Sequence, residues 1–188
     1  YHGLDYVYLA FDVAPEQFEK AVDGLTVMNA RGFNCTMPHK RLMYERADVL
    51  SKEARLIGAV NTVVQENGVL TGYNTDGRGY MRAVKDAGHD IIGGKMTLLG
   101  AGGAAASIVA QAALDKVPKI DLIARKGGSW DAIQEVVDRV NRRTACEVCM
   151  YELRDTEQMK KSIQESRIQI NASSAGMSPH EDECLVPD

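Results

Sequence analysis

Apolar positions follow two regimes along the chain. In the first half they come in short, dissimilar groups: a near-continuous run from Tyr6 to Val13, then Phe18, Val22, Leu25 and Met28 at intervals of three and four. The run reads as a strand, and the spacing predicts a helix over Pro15 to Asn29. A short strand over Gly32 to Thr36 follows, and Leu42, Met43, Ala47 and Leu50 place one helix over Lys40 to Ile57. Val60 to Val64 and Val69 to Gly72 form a hairpin around Glu66-Asn67-Gly68, because Asn-Gly adopts the left-handed turn that joins twisted strands. Asp76 to Ala87 predicts a helix that bridges to the second half.

From Gly93-Gly94 onward the pattern changes. Met96 to Leu99, Lys119 to Ala124, Glu147 to Tyr151 and Ile168 to Asn171 read as strands. They alternate with helical stretches over Ala104 to Leu114, Ser129 to Val140 and Thr156 to Ser166. Strands alternating with helices imply a parallel sheet with right-handed crossovers. The expected class is therefore α/β with two lobes, 1–88 and 89–188, the second Rossmann-like.

Three turn-rich segments carry the chemistry. Gly32-Phe33-Asn34-Cys35-Thr36-Met37-Pro38-His39-Lys40 and Gly72-Tyr73-Asn74-Thr75-Asp76-Gly77 each present one ionisable group among hydroxyls and amides. Loops on a rigid scaffold are where catalytic groups concentrate. Brought together, Lys40 and Asp76 could share a proton and bind a polyhydroxylated ligand; apart, Lys40 is a solvated lysine and Asp76 a helix cap. The third segment, Met96-Thr97-Leu98-Leu99-Gly100-Ala101-Gly102-Gly103-Ala104-Ala105, fits G-x-G-x-x-A between a strand and a helix. Gly100 permits the tight turn, Gly102 admits a pyrophosphate, and Ala105 lets strand and helix pack closely. The helix start then offers free N–H groups to phosphate.

Composition narrows the alternatives. The 188 residues carry a formal net charge of −4, which argues against a nucleic-acid partner. Met96 to Leu114 is uncharged over nearly a membrane's thickness, but its glycines, Thr97, Ser107 and Gln111 fit a buried strand–helix unit better than a span. Cys146 and Cys149 form a C-x-x-C with no second Cys/His pair, and on a strand they point to opposite faces, so they read as ordinary cysteines. His2, His89 and His180 show no metal spacing, and His39 reads as an exposed loop residue. No metal site is expected.

Five segments in order, Asn34 to Lys40, Ala59 to Thr62, Gly72 to Gly77, Gly100 to Ala104 and Asn171 to Met177, resemble the shikimate dehydrogenase family, including its quinate/shikimate branch. The resemblance spans nearly the whole chain. It implies an N-terminal substrate-binding domain and a C-terminal Rossmann dinucleotide-binding domain, both truncated. The family's S-x-S substrate pair is expected before Tyr1, and the residues that complete the pocket after Asp188. It implies an NADPH-dependent, reversible reduction of 3-dehydroshikimate to shikimate by a cytoplasmic monomer or homodimer in aromatic amino acid biosynthesis, with no membrane or nucleic-acid partner. The alternatives are a quinate/shikimate dehydrogenase using NAD and a non-catalytic metabolite-sensing module of the same fold; the retention of both Lys40 and Asp76 argues against the sensing module. Lys40 and Asp76 match the catalytic pair, and Thr36 and Asn61 join them as substrate-binding positions. Gly100, Ala101, Gly102, Gly103 and Ala104 match the cofactor loop, with Ser174 and Met177 on the nicotinamide side.

The choice of cofactor turns on the end of the second Rossmann strand, about twenty residues past the glycines. That strand ends in Ala124-Arg125-Lys126, Asp121 lies too early to reach a ribose, and Gly127 stands where the family's NAD users can carry Asp. A guanidinium fork and an ammonium suit a 2′-phosphate, so NADP is favoured and NAD is possible. The plainer alternative is a pair of solvated loop charges.

Overall fold

The computed structural model describes residues 3, 5–179 and 181–186. Its first sheet has four strands in the order β1-β3-β4-β2, drawn from β1 (Gly32–Asn34), β2 (Val49–Leu50), β3 (Thr62–Glu66) and β4 (Val69–Tyr73). The Asn-Gly turn forms as expected: Asn67 and Gly68 sit at φ 53° and 80°, and β3 and β4 pair antiparallel from Glu66–Val69 to Thr62–Tyr73. Helix α1 (Phe18–Val27), entered through a 3-10 turn at Pro15–Gln17, buries Phe18 and Val22 against this sheet's core. The last apolar position of its predicted face, Met28, is exposed.

Two expectations fail here. Tyr6 to Val13 is not a strand: it is irregular, and Tyr6, Val7, Tyr8, Leu9 and Phe11 are all exposed. A strand persists only where a neighbour takes its N–H and C=O groups, and none of the described strands lies alongside. Side chains hold the segment instead, through Tyr8 and Val13. The single helix over Lys40 to Ile57 is two helices, α2 (Lys40–Arg46) and α3 (Lys52–Ile57), separated by β2. Ala47 turns extended at ψ 136°, the Asp48 carboxylate takes the Leu70 N–H at 2.8 Å, and Ser51 caps α3 by accepting from Ala54 N. Pairing of Val49 and Leu50 with Thr71 and Gly72 then outweighs continued helix.

The second sheet is wholly parallel, in the order β7-β6-β5-β8. Its strands are β5 (Lys95–Leu99), β6 (Lys119–Ala124), β7 (Glu147–Glu152) and β8 (Ile168–Asn171), connected by α5 (Gly103–Leu114), α6 (Trp130–Arg143) and α7 (Thr156–Glu165). Near-continuous burial of β5 and β6 follows from helices on both faces. Asp121, inside β6 and 1% exposed, is paired with Lys95 at 2.7 Å and accepts from the Ser162 hydroxyl at 2.6 Å.

The sheets meet through helices. Helix α4 (Asp76–Asp86) packs on α5 at Gly77, where a Cβ would lie 2.1 Å from the Ser107 carbonyl oxygen. The larger apolar core, built around β5 and β6, also takes in Leu56 and Ile57 of α3 and Met81 of α4. Arg139 of α6 donates to the Leu56 and Ile57 carbonyls at 2.8 and 3.1 Å, satisfying the last turn of α3.

Candidate functional site

Two chain turns converge on one ion pair. Lys40 opens α2 and Asp76 opens α4, and Lys40 Nζ donates to Asp76 Oδ2 at 2.7 Å. The backbone holds each group in place: the Lys40 carbonyl accepts from Val60 N, and the Asp76 N–H donates to Asn74 Oδ1. Asn61 completes the group. Only 7% exposed, it donates from Nδ2 to Asp76 Oδ1 at 2.7 Å, so each carboxylate oxygen has its own donor. The pair is nevertheless open to solvent, with side-chain exposures of 29% for Lys40 and 43% for Asp76. Thr36 is exposed on the turn before α2, where its carbonyl accepts from His39 N.

His39 differs from its expectation. It is half-buried, stacked on Phe18 at 5.4 Å, and its Nε2 lies 2.8 Å from the Val13 carbonyl oxygen. The partner lies 26 residues away, out of reach of local pattern reading. Burial pushes the neighbouring Cys35 thiol up to about 11, outweighing the opposing pull of Lys40, so this sulfur stays protonated near neutral pH.

The second group of residues lies at the carboxyl ends of the parallel strands, where α/β sheets bind ligands. Gly100 turns the chain at φ 125°, and a Cβ there would lie 2.8 Å from the Ala172 backbone. Gly102 and Gly103 face open space, and no side chain caps α5. Uncapped N–H groups beside a glycine turn fit a pyrophosphate. A cleft of about 440 Å³ opens there, bordered by Gly100, Ala101, Gly102, Ala124, Arg125 and Ser174 among the expected residues. Gly103 and Ala104 form the first turn of α5 rather than the cleft wall, and Met177, 63% exposed, lies beyond it.

The sequence reading missed part of the wall. Gly128, Ser129, Leu153, Ser173 and Leu185 also border the cleft, and Gly127, noted only for the charge it lacks, contributes as well. A second Gly-Gly directly after a Rossmann strand could have signalled Gly128; nothing local marks Leu153 or Leu185. Arg125 is exposed with Glu183 at 3.9 Å, whereas Lys126 turns to Glu152 at 3.1 Å. Hydrogen bonds from Lys126 and Arg154 hold the Glu152 carboxyl below the usual carboxylate range.

The two groups touch through the helices. Gly77, next to Asp76, packs on Ser107, one turn after the start of α5, and Ser107 Oγ approaches Asn74 Oδ1 at 3.4 Å. Cys146 and Cys149 are both free, with Cys146 buried. Among the described residues no three His, Cys, Asp or Glu side chains could hold a metal, and no helix is long and apolar enough to cross a membrane. His2 and His180 lie outside the described residues.

Residues 1–63 match a family model described as the shikimate dehydrogenase substrate binding domain. The shikimate dehydrogenase (NADP(+)) of Listeria monocytogenes serotype 4b (strain F2365) is 50% identical over 185 residues, covering 98% of this chain and 64% of the relative. A crystal structure of shikimate 5-dehydrogenase from Listeria monocytogenes in complex with shikimate and NAD matches with a TM-score of 0.96 at 50% identity, over 99% of this chain and 64% of that one. A shikimate dehydrogenase solved in complex with NADP+ matches with a TM-score of 0.76 at 34% identity, over 98% of this chain and 62% of that one. The chain thus spans 64% of the length of the curated relative.

Proposed function

The chain belongs to the shikimate dehydrogenase family, and from that premise we propose that the protein carrying it reversibly reduces 3-dehydroshikimate to shikimate with NADPH, in the route to aromatic amino acids. The observation that carries this reading is the Lys40–Asp76–Asn61 group, coupled through α4 and α5 to a glycine turn that suits a dinucleotide. Residues 1–88 supply the substrate side and 89–188 the nucleotide side.

A nicotinamide cofactor held there would supply the hydride. Lys40 donates a proton to the substrate's carbonyl oxygen as negative charge develops there, and takes it back in the reverse direction. Asp76 orients the ammonium at 2.7 Å and accepts from a ring hydroxyl. Thr36 and Asn61 bind further hydroxyls. Gly100 to Ala104 would hold the pyrophosphate, Ala124, Arg125 and Lys126 the adenosine end, and Ser174 and Met177 the nicotinamide side. Exposed Arg125, with a distant ion partner, is free to take a 2′-phosphate. The enzyme works as a cytoplasmic monomer or homodimer.

The test is nucleotide reduction by the full-length protein with shikimate or quinate, and with NADP+ or NAD+. Shikimate and NADP+ should support turnover, and Lys40→Ala should lower it by more than ~100-fold. Near-wild-type turnover in that variant would remove Lys40 from the chemistry. Turnover mainly with NAD+ or quinate would place the protein in the quinate/shikimate branch instead.

A further inference from the structure

Asp76 is held by more than Lys40, and the hydrogen-bond network around it has a direction. The Thr75 backbone N–H donates to Asn61 Oδ1 at 3.0 Å. A backbone N–H can only donate and a carboxylate can only accept, so these two partners fix the amide: its oxygen faces Thr75 and its nitrogen faces Asp76. Two hydroxyls reinforce that orientation from the oxygen side, Thr62 Oγ1 at 2.9 Å and Thr75 Oγ1 at 3.2 Å.

Thr62 is the better constrained of the two. Its Oγ1 accepts from Asn34 Nδ2 at 3.0 Å, which directs its own proton to Asn61 Oδ1. Asn34 in turn accepts from the Tyr8 hydroxyl at 2.9 Å. The donors therefore run one way, from Tyr8 through Asn34, Thr62 and Asn61 to Asp76, and meet Lys40 arriving from the other side. Aligned donors polarise one another, so each strengthens the next. Asp76 also opens α4, where the helix dipole favours negative charge.

We infer that Thr62 is a positioning residue: its hydroxyl adds a directed donor to the Asn61 amide oxygen and stiffens the amide, which in turn holds Asp76 in the orientation that aims Lys40. Thr62 touches neither Lys40 nor Asp76 in this network and acts through Asn61. Rotation of the amide would set its oxygen against the Asp76 carboxylate and its nitrogen against the Thr75 N–H, two repulsive contacts in place of two bonds.

The inference rests on the proposed dehydrogenase reading, so its test has one arm that needs no turnover. Thr62→Val keeps a β-branched side chain on β3 and removes the hydroxyl; Thr62→Ser restores it. In the full-length protein, Thr62→Val should lower kcat with shikimate about tenfold, the rate equivalent of one hydrogen bond, while the KM for NADP+ is unchanged and Thr62→Ser recovers most of the loss. Independently, the Asn61 side-chain amide resonance, assigned by its disappearance in Asn61→Asp, should shift and lose exchange protection in Thr62→Val but not in Thr62→Ser. An unaltered amide resonance in Thr62→Val, or a serine variant as impaired as the valine one, overturns the inference. A wild-type protein inactive on shikimate would defeat the dehydrogenase reading and leave the amide resonance to decide the role of Thr62.

Discussion

Adding one methyl group at Gly77 tests the seam between the two sheets. A Cβ there would lie 2.1 Å from the Ser107 carbonyl oxygen, 2.7 Å from its carbon and 2.9 Å from Gln111 Cβ, against ordinary contact beyond 3.4 Å. The nearest atoms are backbone, so α4 and α5 must separate by more than an ångström. Overpacking of this kind costs about 1–3 kcal/mol, and separation loosens Met81, which α4 contributes to the larger core. Alanine's better helix propensity returns at most about 1 kcal/mol. The balance for Gly77→Ala is then a loss of about 1–2 kcal/mol, or roughly 2–8 °C in melting temperature. Gly79 gives the control. It lies in the same helix with nothing within 4 Å of its would-be Cβ, so Gly79→Ala should raise stability by about 0.5–1 kcal/mol. Thermal denaturation of the full-length protein reads both. A Gly77→Ala variant that melts at or above the wild type refutes the packing argument.

Two further outcomes follow from charge and burial. Arg125→Ala should weaken NADP+ binding about tenfold, the loss of one charge-assisted contact, and leave NAD+ binding little changed; equal loss of both in a binding titration would make Arg125 structural. Burial, then the nearby Glu147, pushes the Cys146 thiol up to about 12. Unfolding restores it to 9.0, so the unfolded chain releases this proton first as pH rises. The contribution to stability is present in full below pH ~9 and declines from there towards pH ~12. Cys146→Ala should flatten the alkaline limb of a stability–pH curve, and an unchanged slope would show that another group controls it.

Legibility differed between the halves for physical reasons. The second sheet's strands are buried on both faces, so each is a compact apolar run, and the predicted boundaries fall close to those seen from Lys95 to Asn171. The Asn67-Gly68 turn was equally readable, because its geometry is local. Lys40 to Ile57 was misread because β2 has two residues, and Leu50 continues the helical spacing across it. Tyr6 to Val13 has the composition of a strand, but composition says nothing about whether a neighbour is present to pair with it. At the site, the ionisable groups were visible as motif residues. Their arrangement was not: Lys40 reaches Asp76 across 36 positions, and Thr62 gains meaning only through contacts with Asn34, Asn61 and Thr75.

The apolar core that surrounds β5 and β6 has a consequence for cooperativity. Leu56, Ile57 and Met81 all precede residue 89, yet each is buried within that core, and Arg139 closes the last turn of α3 from α6. A fragment beginning at residue 89 would melt early, with the apolar faces of α5 and α6 laid open to water. The first sheet keeps a smaller core of its own, but α3 and α4 carry their apolar side chains into the larger one, and heat should disassemble the two in one calorimetric transition.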